Sequence, residues 1–334
     1  MSKDPSNITY VKLSWFNQKV DDKFFRFSFP IINKNLQSSI EQFGLLQPLI
    51  IRGGDDRYSP ILLCGHRRLQ ALRDLAIPVE IPVQIIPAQV LPLERALHLL
   101  VSENLAHREF NLVEKSSLLY YCFFPLNLPK EKVVHKWLPL LSLKPSRNLL
   151  ASHLKILQLP PNCLKYIVEN KLPLKTAHLL SKLTPETLEI FFPIMTRFQL
   201  GVNRIDEMIN NLVLISKREE KSIPEILEEI LVLPEVSTLL MGKEGDQPQK
   251  IELLRNAIRK RAYPTLNSME DVFSHETKSL NLPNVISIKP PSFFEGDRID
   301  VQFKFGSKEE LRYVAEKLME TVDQPALKTI LELL

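Results

Sequence analysis

The spacing of apolar residues changes twice along this chain, and the changes divide it. Up to about residue 112, short strand-like runs alternate with helical ones. Ile8-Thr9-Tyr10-Val11-Lys12-Leu13 alternates with period two, the mark of a strand. Leu36–Phe43 has helical spacing, and Gly44 is placed to stop it. Pro48-Leu49-Ile50-Ile51-Arg52 predicts a strand and Gly53-Gly54-Asp55-Asp56 a turn. Tyr58–Cys64 predicts a second strand, ending in the apolar run Pro60-Ile61-Leu62-Leu63-Cys64. A helix follows Gly65, with Leu69, Leu72 and Leu75 on one side. Val79–Ile86 reads as a strand and Leu93–Asn104 as a helix. Strands interleaved with helices give a small α/β unit.

From about residue 113 to 240 the spacing is helical throughout, in short pieces set off by proline. Lys130–Leu140 and Ser146–Leu157 are two such pieces, and Leu141-Ser142-Leu143-Lys144-Pro145 joins them at turn length. That is the layout of a helix-turn-helix, although the turn lacks the usual glycine. Leu150, Leu154 and Leu157 are expected on the buried face of the second helix. Helices are expected at Cys163–Glu169, Leu174–Lys182, Pro185–Phe192 and Ile205–Ile215, and Ser222-Ile223-Pro224-Glu225 is a capping box opening another. Residues 241–280 read as a linker, Gly242–Pro248, and a basic helix, Ile251–Arg261. In 281–334, Val285–Ile288 predicts a strand. Ile299, Val301, Phe303 and Phe305 alternate with polar residues, predicting a strand with one buried face. Ser307–Glu310 caps a helix over Leu311–Thr321. The fold class is thus α+β and multidomain: α/β at 1–112, all-α at 113–240, and a strand-strand-helix unit at 281–334.

Composition adds little until charge is placed along the chain. The charged share is 25% and the net charge +4 over 334 residues. Between residues 130 and 175, nine Lys or Arg face two acids, Glu131 and Glu169. That stretch carries +7 and the remainder −3, which points to an anionic partner held by one part of the chain. Three scattered cysteines form neither a disulfide framework nor a metal-ligand spacing. Met1–Pro5 is polar, and no apolar run reaches about 18 residues. A cytoplasmic location without membrane contact is expected.

Three constellations carry chemistry. Gly65-His66-Arg67-Arg68 sits at a strand-to-helix junction, where free N–H groups and guanidinium forks suit phosphate. Glu103, Asn104, His107 and Arg108 gather at a helix end. A carboxylate beside a carboxamide suits a divalent metal or the polar edge of a nucleotide, and the two cations suit phosphate. Arg147, Asn148, Ser152 and Lys155 lie opposite the apolar face of their helix, with Lys144 and Ser146 at its start. Arg and Asn can contact guanine and adenine edges, while Lys144 and Ser146 suit phosphates.

In order and spacing these segments resemble the ParB family. Leu36-x-x-Ser39-Ile40-x-x-x-Gly44-Leu45-Leu46-Gln47-Pro48-Leu49, Gly65-His66-Arg67-Arg68-x-x-Ala71 and Glu103-Asn104-x-x-His107-x-x-Phe110-Asn111-x-x-Glu114 look like the three boxes of the ParB N-terminal domain. Ser146–Pro160 resembles the family's recognition helix and the segment after it, and the tail resembles its dimerisation domain more loosely. The resemblance implies a ParB/sulfiredoxin-like fold at the N-terminus and a DNA partition protein for chromosome or plasmid. It implies a homodimer on palindromic double-stranded DNA, a ParA-type ATPase partner, and a nucleoid-associated place in the cytoplasm. It also implies a CTP-dependent clamp using Mg2+. Gly65, His66, Arg67, Arg68, Glu103, Asn104, His107 and Arg108 would then bind the nucleotide, with Glu103 and Asn104 also serving the metal.

The chain departs from the family where turnover is concerned. His66 stands where Glu is usual, His107 where Arg is usual, and Leu112 replaces a proline. Further on, Lys175-Thr176-Ala177 replaces Gly-His-Ala. No catalytic residue is assigned, and at most slow CTP hydrolysis is expected. The alternatives are a nucleotide-dependent enzyme (CTPase, kinase or nuclease-like), a transcriptional regulator on the same domain, or an adaptor binding another acidic partner. Sulfiredoxin-type redox chemistry is disfavoured, because Cys64 precedes Gly65 and alternation points it inward.

Overall fold

The computed structural model describes residues 8–27, 34–75, 80–234, 236 and 247–334. Met1–Pro5, Val79 and most of the Gly242–Pro248 linker lie outside them. The chain forms two compact units, 1–188 and 189–334.

The first unit opens with β1 (Ile8–Lys12) and α1 (Leu13–Lys19). Helix α1 was not foreseen: strand alternation continued through Leu13. The chain turns helical because Leu13, Phe16 and Val20 share one helical face, and Phe16 is fully buried there. Then come α2 (Lys34–Phe43), β2 (Leu49–Arg52), β3 (Ile61–Cys64), α3 (His66–Leu75), β4 (Glu80–Ile86) and α4 (Leu93–Leu105). Gly44 ends α2 at φ +68°, its N–H on the Ile40 carbonyl, as its position predicted. The sheet order is β1-β4-β2-β3, with β4 parallel to β2 and the other pairs antiparallel. Strand β3 is buried along its whole length and feeds two cores. Leu62 joins the cluster under α1–α3, whereas Ile61 and Leu63 join the cluster formed with α4 and later helices.

That second cluster runs on through α5 (Leu112–Phe123) and α6 (130–140) to Leu150 of α7 (Arg147–Ile156). Helix α6 holds a π-helical stretch, Val133–Trp137. Its turn into α7 has no glycine, and Ser142 takes the left-handed conformation at φ +58° instead. Helices α8 (Pro161–Glu169) and α9 (Leu174–Leu180) follow, and α10 (Pro185–Arg197) leads into the second unit.

In the second unit, α11 (Val202–Glu219), α12 (Ile223–Leu231) and α13 (Gln247–Ala262) are laced by ion pairs. Arg255 reaches Glu207 and Glu252, and Arg261 reaches Glu219 and Glu229. The Ser222–Glu225 capping box forms as expected. After α14 (Pro264–Ser279), β5 (Ile286–Lys289) pairs antiparallel with β6 (Asp300–Phe303), and α15 (Lys308–Thr321) and α16 (Pro325–Leu331) close the chain. One expectation fails here. The alternating face of β6 is not buried: Val301, Phe303 and Phe305 are 43%, 37% and 53% exposed. Within one chain, no element covers it among the described residues.

Candidate nucleotide pocket and nucleic-acid interface

Gly65 makes the junction between β3 and α3 possible. Its φ is +105°, and a Cβ there would lie 2.3 Å from Leu49 Cδ2. Helix α3 begins at once, its first bond running from the Leu69 N–H to the Gly65 carbonyl at 2.9 Å. The N–H groups of His66, Arg67 and Arg68 therefore have no carbonyl within the helix to bond and point off its start. Arg67 is exposed. Arg68 folds back, Nη1 donating to the carbonyls of Gln47 at 2.7 Å and Pro48 at 3.2 Å, which ties the loop after α2 to the helix start.

The second group comes from the end of α4. Asn104 Nδ2 donates to the Leu100 carbonyl at 2.9 Å and to Glu103 at 3.3 Å, leaving the amide oxygen to offer a cation. The Asn104 carbonyl accepts the N–H groups of His107 and Arg108 and so turns the chain. His107 Nε2 is 3.9 Å from Glu103. Arg108 makes a two-pronged bond to the buried Glu114, at 2.7 and 2.9 Å, and lies over the Phe110 ring. Glu114 also accepts the Asn111 N–H, completing the capping box of α5. Arg108 is thus a brace between pocket and helix as well as a lining residue. The Asn111-x-x-Glu114 spacing was legible as a motif; the brace was not.

The two groups meet. Gly65, His66, Arg67, Arg68, Glu103, Asn104, His107 and Arg108 line one cleft of about 380 Å³, with Phe27, Leu36 and Leu63 as apolar wall. Among the described residues, Arg67, Arg68, His107, Arg108 and a helix start face a single carboxylate, Glu103, a donor set that fits a polyphosphate. Mg2+ commonly takes one or two carboxylates plus substrate phosphates, so Glu103 with Asn104 also fits that ion. Among the described residues no cluster of three or more His, Cys, Asp or Glu could hold a metal alone. Burial, opposed by Asp22, pushes the His66 imidazole down to about 4, so it is neutral at pH 7, and Nε2 is buried without a hydrogen-bond partner among the described residues. Burial first, then Glu103, pushes the Cys64 thiol up to about 12, which removes it as a nucleophile.

The DNA-facing candidates lie on α7 and before it. Lys144, Arg147 and Asn148 are exposed and Lys155 is half-buried. Two hydroxyls have local work: Ser146 Oγ caps the helix by accepting the Leu149 N–H at 3.3 Å, and Ser152 Oγ donates to the Asn148 carbonyl at 3.0 Å. The buried face needs correcting. It is Leu150, His153 and Ile156, with Leu154 and Leu157 only half-buried. The polar ring of His153 hid this from a pattern of leucines. One ring nitrogen is partnered inside, Nδ1 lying 2.8 Å from Ser116 Oγ of α5, while Nε2 is buried without a hydrogen-bond partner among the described residues.

Fold and site together define a class: a small mixed-sheet domain with a cleft lined by basic side chains and a helix start, continuous with basic helices. Residues 32–105 match the family model of the ParB N-terminal domain. The chain is 28% identical over 235 residues to the chromosome-partitioning protein Spo0J of Thermus thermophilus, covering 69% of this chain and 82% of that protein. It is 27% identical over 199 residues to the stage 0 sporulation protein J of Bacillus subtilis, covering 59% and 66%. Among solved structures, it is similar to a C-terminally truncated chromosome-partitioning ParB from Caulobacter crescentus. One form, complexed with CTP-γ-S, has 18% identity, TM-score 0.25, and coverage of 53% of this chain and 93% of that one. Another, complexed to the centromeric parS site, has 16% identity, TM-score 0.28, and coverage of 60% and 97%.

Proposed function

We propose that this chain is a site-specific DNA-binding protein of the ParB type, acting in chromosome or plasmid partition as a clamp gated by CTP. The observation that carries the nucleotide half is the convergence of all eight candidate residues, from two separate segments, on one cleft. The names of its sequence relatives support the partition half. In this reading α6 and α7 are a helix-turn-helix, with Arg147 and Asn148 reading bases and Lys144 and Lys155 on phosphates. Ser146 and Ser152 contribute by shaping the helix. Glu103 and Asn104 hold Mg2+ on the phosphates. The strand-strand-helix segment at 281–334 makes the homodimer, covering the exposed face of β6. A ParA-type ATPase is the partner, and the protein works on the nucleoid in the cytoplasm; no helix among the described residues is long and apolar enough to cross a membrane. With Glu103 as the only carboxylate lining the cleft among the described residues, hydrolysis is expected to be slow.

Titrating CTP, ATP and GTP with Mg2+ into the full chain tests the cleft. CTP should bind best, and Arg67→Ala should weaken it by about 10- to 100-fold, the worth of a charged hydrogen bond. No binding by any nucleotide would reduce the chain to a DNA-binding module.

A further inference from the structure

The basic stretch from 130 to 175 holds two acids, and they behave differently. Glu169 pairs with Lys165 one turn away on its own helix, at 3.7 Å. Glu131 reaches off its helix. Its Oε1 lies 2.8 Å from Nη2 of Arg147, the first residue of α7. Its Oε2 lies 3.7 Å from His135 Nε2, one turn along α6. The Glu131 and Arg147 side chains are both more than half exposed. Exposed pairs of this kind add little to stability. A first-turn acid suits the helix dipole, but that does not require it to cross the turn to Arg147.

We propose that Glu131 is a positioning residue for DNA recognition: its carboxylate holds the Arg147 guanidinium and keeps it off random phosphates. The inference rests on the reading of Arg147 as a base-contacting residue. An unrestrained arginine on a basic surface pairs with any phosphate it meets. Arg147 has five N–H donors; one rests on Glu131, and two others suffice for the N7 and O6 of a guanine. A base edge can therefore be bound without releasing the carboxylate, whereas a phosphate brought onto the same free donors would sit beside that carboxylate and be repelled by it. The same carboxylate repels the DNA backbone, and only a base contact by Arg147 offsets that repulsion. Glu131 thus costs affinity on random sequence and costs nothing at the proper site, where it holds Arg147 ready for the base.

The test uses the full chain and two duplexes: the one recovered by selection from a random library, and a scrambled duplex of equal length. Glu131→Gln should tighten binding to the scrambled duplex by about two- to fivefold. It should also steepen the salt dependence on that duplex, and leave the selected duplex unchanged or weaker. Glu131→Asp should keep most of the wild-type preference. In an Arg147→Ala background, Glu131→Gln should no longer lower the preference for the selected duplex. Equal shifts on both duplexes, or none, would overturn the proposal while leaving the DNA reading intact. Failure of that underlying reading looks different: Arg147→Ala alone would leave the preference untouched.

Discussion

Gly65 meets two demands at one position, a backbone at φ +105° and no room toward Leu49. Gly65→Ala should cost about 2–3 kcal/mol, as strained positions of this kind do. It should also lower nucleotide affinity in the surviving folded protein, read by urea unfolding and by titration. Loss of affinity without loss of stability would mean that the glycine serves the ligand alone. At this scale the sequence was informative about which residues gather and less so about what each does there. One glycine at a strand-to-helix junction, in a chain with nine, announced itself. That Arg68 would turn back onto the Gln47 and Pro48 carbonyls, and Arg108 onto Glu114, depends on groups 21, 20 and 6 residues away and on which of them is buried. Identity and spacing do not encode that choice.

Elements were legible where periodicity was strong and uniform, as in β2 and β3, and at the capped starts of helices. They were misread where a polar residue sits inside or an apolar one outside. His153 shows the first case. Burial lowers its imidazole from the ordinary 6.5 to about 4. The unfolded chain therefore takes up the proton first as pH falls. The stability associated with neutral His153 is complete above about 6.5 and is lost between 6.5 and 4. That loss is at most about 3 kcal/mol, and His66 titrates in the same direction. His153→Leu should flatten this slope in unfolding curves taken between pH 4.5 and 7.5, since Ser116 Oγ keeps its bond to the Leu112 carbonyl. An unchanged slope would place the acid sensitivity elsewhere. β6 shows the second case: alternation correctly announced a strand, but not that its apolar face would be left exposed.

For the whole molecule, that exposed face and the basic helices lead to one expectation about assembly. Phe303→Glu should turn a dimer into a monomer on sedimentation and weaken binding to a palindrome far more than to one half-site, because the second contact is no longer tethered. A wild-type monomer would refute the dimer directly. Another consequence concerns where the chain can be divided. The cluster that begins at Phe25 closes only with Trp137, Leu138 and Leu150. The composition change near residue 112 looks like a seam, but a fragment ending there would leave Leu100 and Phe110 without their cover and Arg108 without Glu114. Modular exchange between relatives should therefore succeed when the pocket travels with its helices as far as about residue 160. A graft joined at 112 should yield an insoluble product. On this view the unit of inheritance for the nucleotide cleft is larger than the cleft's own domain, and it carries a DNA-facing surface with it.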